Sequence, residues 1–149
     1  MESFGIFKYK EKWLLSSEGL IEDGPVIQIG PVRVVDLEDA KRLQQVIVEL
    51  LTETRPLVPE PDYTSTDWKR SIFAMALGLR TWRAFAKDAE CFALQMSGKF
   101  ISIEKWRRGP MDTFVGPPVW RKSFRRHDLH KLVTFLIEKT GKRSRKRKR

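Results

Sequence analysis

The spacing of the predicted strands restricts the fold more than any other feature of this sequence. Short segments in which apolar and polar residues alternate, or in which β-branched and aromatic residues cluster, are separated by turn-forming residues. These segments are residues 4–10, 13–17, 26–29, 32–35, 85–96, 99–106 and 119–124. Within each half of the chain the connections are too short for the crossover helix that parallel neighbours require. The sequence therefore predicts a predominantly antiparallel β-sheet.

Amphipathic α-helices are predicted beside this sheet, over residues 37–53, 68–79 and 129–140. Asp36 and Asp128 are placed to cap the first and third helices, and Gly141 is placed to end the third. Ser97-Gly98 predicts a two-residue turn between the two longest strands. We therefore predict a single α+β domain over residues 1–141, built from two β-meander-plus-helix halves with about three packed α-helices.

The net charge is unevenly distributed along the chain. The formal net charge is +10, and the last eight residues alone contribute seven positive charges. Residues 142–149 contain no apolar side chain whose burial could offset the entropy of ordering, so they are predicted to form a disordered basic tail. Residues 1–141 are acidic in their first half and basic in their second. The tail cations expected to attract phosphate or other anions are Lys142, Arg143, Arg145, Lys146, Arg147, Lys148 and Arg149.

Residues suited to catalysis are scarce in this sequence. His127 and His130 are the only histidines, and no third metal ligand accompanies them. Cys91 lies within a predicted strand, where it fits a small buried hydrophobic residue better than a reactive thiolate. The glycines stand singly at turns and form no phosphate-binding loop. We therefore expect no enzyme activity, no cofactor and no metal site.

The expected location of the protein is the cytoplasm. One cysteine cannot form an intramolecular disulfide, which agrees with a reducing compartment. The N-terminus lacks the basic and then apolar pattern of a signal peptide, and no apolar run is long enough to span a membrane. The sequence leaves the oligomeric state open.

The middle of the chain resembles a known family. The shared pattern is a helix that opens on a tryptophan, a basic segment, a cysteine-bearing strand, a short turn and a strand followed by tryptophan. The residues that carry it are Asp67-Trp68, Phe85, Cys91 and Trp106. Over residues 45–106 the sequence is similar to the CdiI type of contact-dependent growth inhibition immunity proteins. The resemblance implies a small bacterial cytoplasmic protein that binds and neutralises the C-terminal domain of a cognate toxin, often a nuclease.

Neutralisation of a toxin requires a protein interface, and the charge distribution offers two. Tryptophan and arginine are enriched at the centres of interfaces. The basic half supplies the candidate contact residues Trp106, Arg107, Arg108, Trp120 and Arg121. The acidic half, which would suit a toxin with a basic cleft, supplies Glu18, Glu22 and Asp23, together with residues 36–39. The sequence alone leaves both faces open.

Single-stranded nucleic-acid binding is the alternative function. Basic residues are interleaved with aromatic residues between positions 80 and 126, and such a surface suits bases that stack and phosphates that seek cations. A half-buried strand with a basic solvent face gives the same alternation. Two meander-plus-helix units are also similar in architecture to the Whirly and Pur groups of single-stranded nucleic-acid binders. Nucleic acid is, in addition, a partner that the basic tail could attract.

Overall fold

The strands form two consecutive meanders that pair side by side. The computed structural model describes residues 2–147, and the side chains of residues 3–140. The six strands are β1 (Glu2–Tyr9), β2 (Lys12–Leu20), β3 (Val26–Asp36), β4 (Ala89–Ser97), β5 (Phe100–Arg108) and β6 (Phe114–Arg125). All neighbours are antiparallel in the order β3-β2-β1-β4-β5-β6, so β1 and β4 join the two meanders. The predicted α+β class with an antiparallel sheet is confirmed.

A long α-helix follows each meander, as predicted. These are α1 (Ala40–Thr52) and α5 (Leu129–Arg147). Where one middle helix was predicted, the connection between the meanders contains three helices of five residues each. They are α2 (Thr66–Arg70), α3 (Ile72–Ala76) and α4 (Trp82–Ala86).

Ser71 divides the predicted middle helix. Its backbone has a φ of +75°, a conformation that a right-handed helix cannot contain, and α2 ends there. The hydroxyl oxygen of Ser71 then accepts a hydrogen bond from the backbone N–H of Phe73 (3.3 Å) and caps α3. The chain therefore changes direction at a point where the apolar spacing of residues 68–79 predicts a continuous helix.

The strand predicted over residues 85–96 begins later than expected. Residues 82–86 are helical, because the hydroxyl of Thr81 accepts a hydrogen bond from the N–H of Ala84 (3.0 Å) and caps the helix. Phe85 and Ala86 are buried by this helical turn. The prediction is wrong for residues 85–88 and holds from Ala89 onwards, where β4 begins.

The turn of the β4–β5 hairpin lies one residue later than predicted. Ser97 pairs with Phe100, so Gly98 and Lys99 form the two-residue turn. Gly98 has a φ of +58°, in the left-handed region that glycine adopts without a steric penalty.

Helix α1 begins later than the sequence predicted. The carboxylate of Asp39 accepts a hydrogen bond from the backbone N–H of Arg42 (3.1 Å) and caps the helix. The predicted cap, Asp36, instead ends β3 and forms an ion pair with Lys12 on β2. Asp36 and Asp39 both precede the helix. Because Asp36 is paired with Lys12 across the strands, Asp39 is the residue that caps it.

Helix α5 continues beyond Gly141, where the sequence analysis ended it. Its backbone is helical to Arg147. The division into a domain over residues 1–141 and a disordered basic tail over residues 142–149 stays a prediction. Lysine and arginine are good helix formers, and cations are favourable near the C-terminal end of a helix. Lys148 and Arg149 lie outside the described residues, and anion attraction by the tail stays a prediction. Within residues 2–147, no helix is both long and apolar enough to cross a membrane.

One side of the sheet, the first face, is covered by α1 and α5. Alternation along β1 directs Phe4 and Ile6 to this face, and Phe92 on β4 lies on it beside them. Trp13 on β2 is fully buried here, and its indole N–H donates to the carbonyl oxygen of Leu37 (2.9 Å). The main core of the domain therefore lies between the sheet and the two long helices.

The opposite side, the second face, carries a smaller core under the short helices. Phe7 on β1 contacts Phe73 of α3 and Phe85 of α4, with ring centroids 4.6 and 5.5 Å apart. Tyr9 stacks on Phe85 at 5.4 Å. This aromatic cluster covers the end of the second face where Tyr9 lies and leaves the opposite end, near the β2–β3 turn, less covered.

Both edge strands carry a glycine–proline pair at a bulge. Gly30-Pro31 interrupts the pairing of β3 with β2, and Gly116-Pro117 lies at the irregularity between β6 and β5. The two strand segments predicted around Gly30-Pro31 are thus one bulged strand. Proline has no N–H to donate, and bulges disturb the hydrogen-bonding edge, so neither edge offers a regular template for another strand.

Candidate functional site

The sheet forks near the β2–β3 turn. β1 and β2 pair only from Ile6 opposite Leu15 to the hairpin turn, and the rest of the two strands separate. Arg55, in the connector after α1, bridges the fork: its guanidinium donates to the carbonyl oxygen of Ser3 (2.5 Å) and to the carboxylate of Glu18 (2.6 Å). The fork and its arginine hold the connector in place before it crosses to the second face.

The connector then runs beside β2. The N–H of Leu20 donates to the carbonyl oxygen of Pro56 (2.8 Å), and the N–H of Val58 donates to that of Leu20 (2.8 Å). These two hydrogen bonds form an isolated parallel bridge between Leu20 and Leu57. The fixed connector delivers the next residues, with the aromatic ring of Tyr63, to the uncovered end of the second face.

A cavity of about 970 Å³ lies at this end of the second face. One wall is the start of β3, and the other is formed by the connector and helices α2 and α3. Its apolar lining includes Pro25, Val26, Tyr63, Trp68, Ile72 and Met75. We call this cavity the apolar groove. Its volume is within the range of sites that accept a ligand or a protein side-chain cluster.

The large side chains of the apolar groove are unusually exposed for their type. Val26, Tyr63, Trp68 and Met75 are 42, 41, 39 and 39% exposed. Tyr63 and Trp68 contact edge to face, with ring centroids 5.1 Å apart. Ser65 lies between them in sequence and caps α2 by accepting a hydrogen bond from the N–H of Trp68 (3.1 Å). The aromatic pair is therefore held by local structure rather than by burial.

Several carboxylates lie in or beside the lining of the apolar groove. Asp67 lines it, and Glu60 lies close enough to Tyr63 to affect its phenol. Partial desolvation and the negative charge of Glu60 raise the pKa of Tyr63 above its usual value. The side chain and N–H of Thr64 donate to the carboxylate of Asp62 and lower its pKa. At neutral pH Tyr63 is thus a neutral hydrogen-bond donor. The carboxylates of Glu60, Asp62 and Asp67 outnumber the exposed cation Lys69, which also lines the groove.

The acidic residues predicted as contacts have different surroundings. Glu18 is engaged by Arg55 and is largely withdrawn from solvent. Glu22 and Asp23 are exposed in the β2–β3 turn, which leads into the β3 wall of the groove. Residues 36–39 lie at the far end of β3. The structure therefore places only part of the predicted acidic patch near the apolar groove.

The basic contact candidates at the end of β5 lie at the opposite end of the sheet from the β2–β3 turn, since β5 runs antiparallel to β2. The indole N–H of Trp106 donates to the carboxylate of Glu104 (3.1 Å). Arg108 donates to the carbonyl oxygens of Lys87 and Ala89 (2.7 Å each). Arg108 thus joins β5 to the start of β4, whereas the Trp106 contact lies within β5.

The remaining candidates diverge from one another. Arg107 is exposed, with a long hydrogen bond of 3.4 Å to the carbonyl oxygen of Gly116. Trp120 points to the first face, where its ring packs on Phe135 at 5.5 Å and lies under the ammonium group of Lys139. Arg121 follows it on the strand and points to the second face. The structure does not bring the five basic-half candidates together on one surface.

The residues with potentially reactive side chains, Cys91 and the two histidines, do not line the apolar groove. Burial raises the pKa of the Cys91 thiol to about 12, which keeps it protonated at neutral pH. His127 and His130 are exposed at the start of α5. Among the side chains of residues 3–140, no group of three or more histidine, cysteine, aspartate or glutamate residues could hold a metal ion.

Comparison with known proteins establishes the fold. No family model matches the sequence, and no curated protein matches it significantly. A protein of unknown function from Neisseria meningitidis has a similar structure, with a TM-score of 0.65 and 13% identity over 93% of this chain and 95% of the other. A chain of a CdiA-CT/CdiI toxin and immunity complex from Yersinia pseudotuberculosis has a TM-score of 0.52 and 12% identity, over 78% of this chain and 80% of the other. Both similarities show a shared fold.

Sequence reasoning missed the apolar groove because it treated residues 68–79 as one helix. In a continuous helix Trp68 and Met75 would both belong to a buried apolar face. The break at Ser71 separates them and leaves both partly exposed. A detectable signal was the serine and threonine content of residues 64–71, since these residues cap helices and favour short ones.

Proposed function

We propose that this protein is an immunity protein that neutralises a cognate toxin domain by binding it through the apolar groove. The observation that carries the proposal is the exposed Tyr63–Trp68 pair in a cavity of about 970 Å³. Its fold is similar to that of a chain from a CdiA-CT/CdiI toxin and immunity complex, which supports this class of partner. The protein then acts in the cytoplasm of a bacterium that carries the toxin.

The groove has the composition of an interface centre. Tryptophan, tyrosine and methionine are enriched at such centres, and the largest losses on truncation come from aromatic side chains that become fully desolvated. Trp68 and Tyr63 each have about two fifths of their surface available for burial. Because their local structure already fixes them, little side-chain entropy remains to be lost on binding.

The rim supplies the electrostatic part of recognition. Within the described residues, Glu22, Asp23 and Asp67 form no ion pair with a lysine or arginine. A toxin nuclease needs cations to hold phosphates, so its surface complements this rim. Complementary charge chiefly raises the association rate, while the apolar groove limits dissociation. Neutralisation by this route is stoichiometric and uses neither catalysis nor a cofactor.

The decisive experiment uses the toxin domain encoded beside this gene. Co-expression of the protein is expected to restore growth to cells that make the toxin domain, and the two purified proteins are expected to form a stable complex. The double variant Tyr63→Ala/Trp68→Ala is expected to lose at least about 100-fold in affinity, since each is a truncated hot-spot residue. Growth protection should fall in parallel.

Val48→Ala provides the matched control. Val48 is 44% exposed, like the groove residues, but lies on α1, which covers the first face. This variant is expected to bind and protect as the unmodified protein does. Full protection by the Tyr63→Ala/Trp68→Ala variant, or equal loss with Val48→Ala, would show that the groove is not the binding site. Absence of any complex with the toxin domain would refute the immunity function itself.

A further inference from the structure

A second cavity lies at the same end of the sheet as the apolar groove, on the side of β5 and β6, and has the opposite charge. The β4–β5 turn and the segment after β6 come together at one end of the sheet, where the N–H of Arg126 donates to the carbonyl oxygen of Lys99 (2.8 Å). They enclose a cavity of about 430 Å³. It is lined by Gly98, Lys99, Arg125, Arg126 and His127. We call this cavity the basic pocket.

The cations of the basic pocket are not neutralised within the described part of the chain. Lys99, Arg125 and Arg126 form no ion pair with any described carboxylate. Asp128 is the neighbouring acid in sequence, and its carboxylate lies 3.8 Å from both the Lys131 ammonium and the His127 ring. Three positive charges therefore converge on one cavity without an internal counterion, which favours an anionic ligand.

An aromatic ring lies directly beside these cations. Phe100 is 54% exposed and is paired with Arg125 across β5 and β6, so both side chains point to the second face. The next residue on that face of β5, Ser102, is buried, and its hydroxyl oxygen accepts a hydrogen bond from Arg121 (3.3 Å), which adds a further cation to this face. An exposed ring beside unpaired cations suits a ligand that carries both a flat aromatic group and a phosphate.

We propose that the basic pocket binds a backbone phosphate of single-stranded nucleic acid while Phe100 stacks on an adjacent base. A single strand is favoured over a duplex because a base must leave its stack to reach the ring. The site shares no lining residue with the apolar groove and would add a second binding activity to the protein. It is also separate from the basic tail, whose cations attract phosphates without an accompanying aromatic ring.

The test measures binding of a labelled oligothymidylate of about ten nucleotides, within the usual site size for single-strand binders. The full-length chain is used with the seven tail cations replaced by serine, so that the tail cannot dominate. Lys99→Gln/Arg125→Gln/Arg126→Gln is expected to weaken binding at least about tenfold at low salt. The slope of log affinity against log salt should fall by about 0.7, the contribution of one phosphate contact on a single strand.

The control for charge is Lys41→Gln/Arg80→Gln/Lys87→Gln, which removes three exposed cations elsewhere. It is expected to keep most of the affinity and the full salt slope. Phe100→Ala should weaken binding at least about fivefold without changing the slope, because stacking is not ionic. Val119→Ala, an exposed apolar residue on β6, is its control.

Several outcomes would overturn the proposal. These are no oligothymidylate binding by the tail-neutral chain, an equal loss in the charge control, or equally tight binding of duplex. If the basic-pocket variant loses the toxin domain and keeps the oligonucleotide, the pocket belongs to a protein interface and the proposal is wrong. The Tyr63→Ala/Trp68→Ala variant leaves the basic pocket intact. Measurements of oligothymidylate binding do not involve the toxin domain, so failure of the proposed immunity function would not change their expected results.

Discussion

The two faces of the sheet are covered in different ways. On the first face, two long helices bury the large core residues of both meanders, with Trp13 and Phe92 almost fully excluded from solvent. On the second face, three helices of five residues cover one end and leave the apolar groove at the other. Long amphipathic helices match the length of the strands, whereas short capped helices leave gaps. We therefore expect the first face to provide most of the stability, and the second face to provide the binding surface that we propose.

Truncation of a buried side chain on the first face should have the largest effect on stability. Trp13→Ala removes a fully buried indole together with its hydrogen bond to Leu37, and we expect a loss of about 3–5 kcal/mol in the free energy of unfolding. Urea unfolding followed by circular dichroism measures this loss. Truncation of an exposed residue such as Val48 is expected to cost no more than about 0.5 kcal/mol. An equally small loss for Trp13→Ala would contradict the assignment of the main core to this face.

Loss of the Arg55 contacts at the fork should reduce the free energy of unfolding by a smaller amount. Arg55→Met leaves Glu18 without its cation and the Ser3 carbonyl without its donor, and we expect a loss of about 2 kcal/mol, between the values for exposed and buried ion pairs. Arg42→Met is the control, because its pair with Glu49 is long and half exposed. Equal unfolding midpoints for the two variants would show that the fork does not depend on Arg55.

Truncation of a side chain that lines the apolar groove should cost little stability. Trp68→Ala is expected to cost less than about 1 kcal/mol of stability, since the side chain is partly exposed and packs mainly on Tyr63. The same substitution should weaken toxin binding strongly. A large stability loss with unchanged binding would reverse the roles that we assign to this face.

Cys91 tests how well the short helices cover the other end of the second face. With a pKa of about 12 against a usual value near 9, its thiolate fraction at pH 8 is roughly a thousandfold below that of an exposed thiol. We expect native protein to react slowly with a thiol reagent and urea-unfolded protein to react fast. Because the folded state holds the proton more tightly, stability should fall as pH rises above about 9, and Cys91→Ala should reduce that fall. Native reactivity equal to the unfolded rate would mean that α3 and α4 do not shield the strand.

Much of the first face was predictable from the sequence, and much of the second was not. Alternation along β1 and the periodicity of α1 and α5 encode a sheet with two long helices, and these patterns extend over many residues. The segment 82–86 carries too few residues to distinguish a helical turn from a strand, and only the Thr81 cap decides it.

The contact candidates of the basic half lie apart for a different reason. Trp120 and Arg121 are adjacent in sequence, and strand geometry places adjacent residues on opposite faces, so they could not share one surface. Trp68 was assigned to a buried stripe because nothing in the apolar spacing reports the positive φ of Ser71. Tertiary placement of a short connector depends on contacts such as the Arg55 bridge, which join residues far apart in the chain.

The segment that connects the two meanders affects how such a protein can evolve. Residues 59–81 supply most of the apolar groove but contribute no strand to the sheet. Apart from Phe73 and Ala74, which are buried in the core of the second face, these residues can therefore change one at a time while the two meanders and their long helices keep the same framework. If the groove binds the toxin as we propose, partner choice and foldability are encoded in largely separate stretches of the gene, and a lineage can acquire a new toxin partner while it keeps its scaffold.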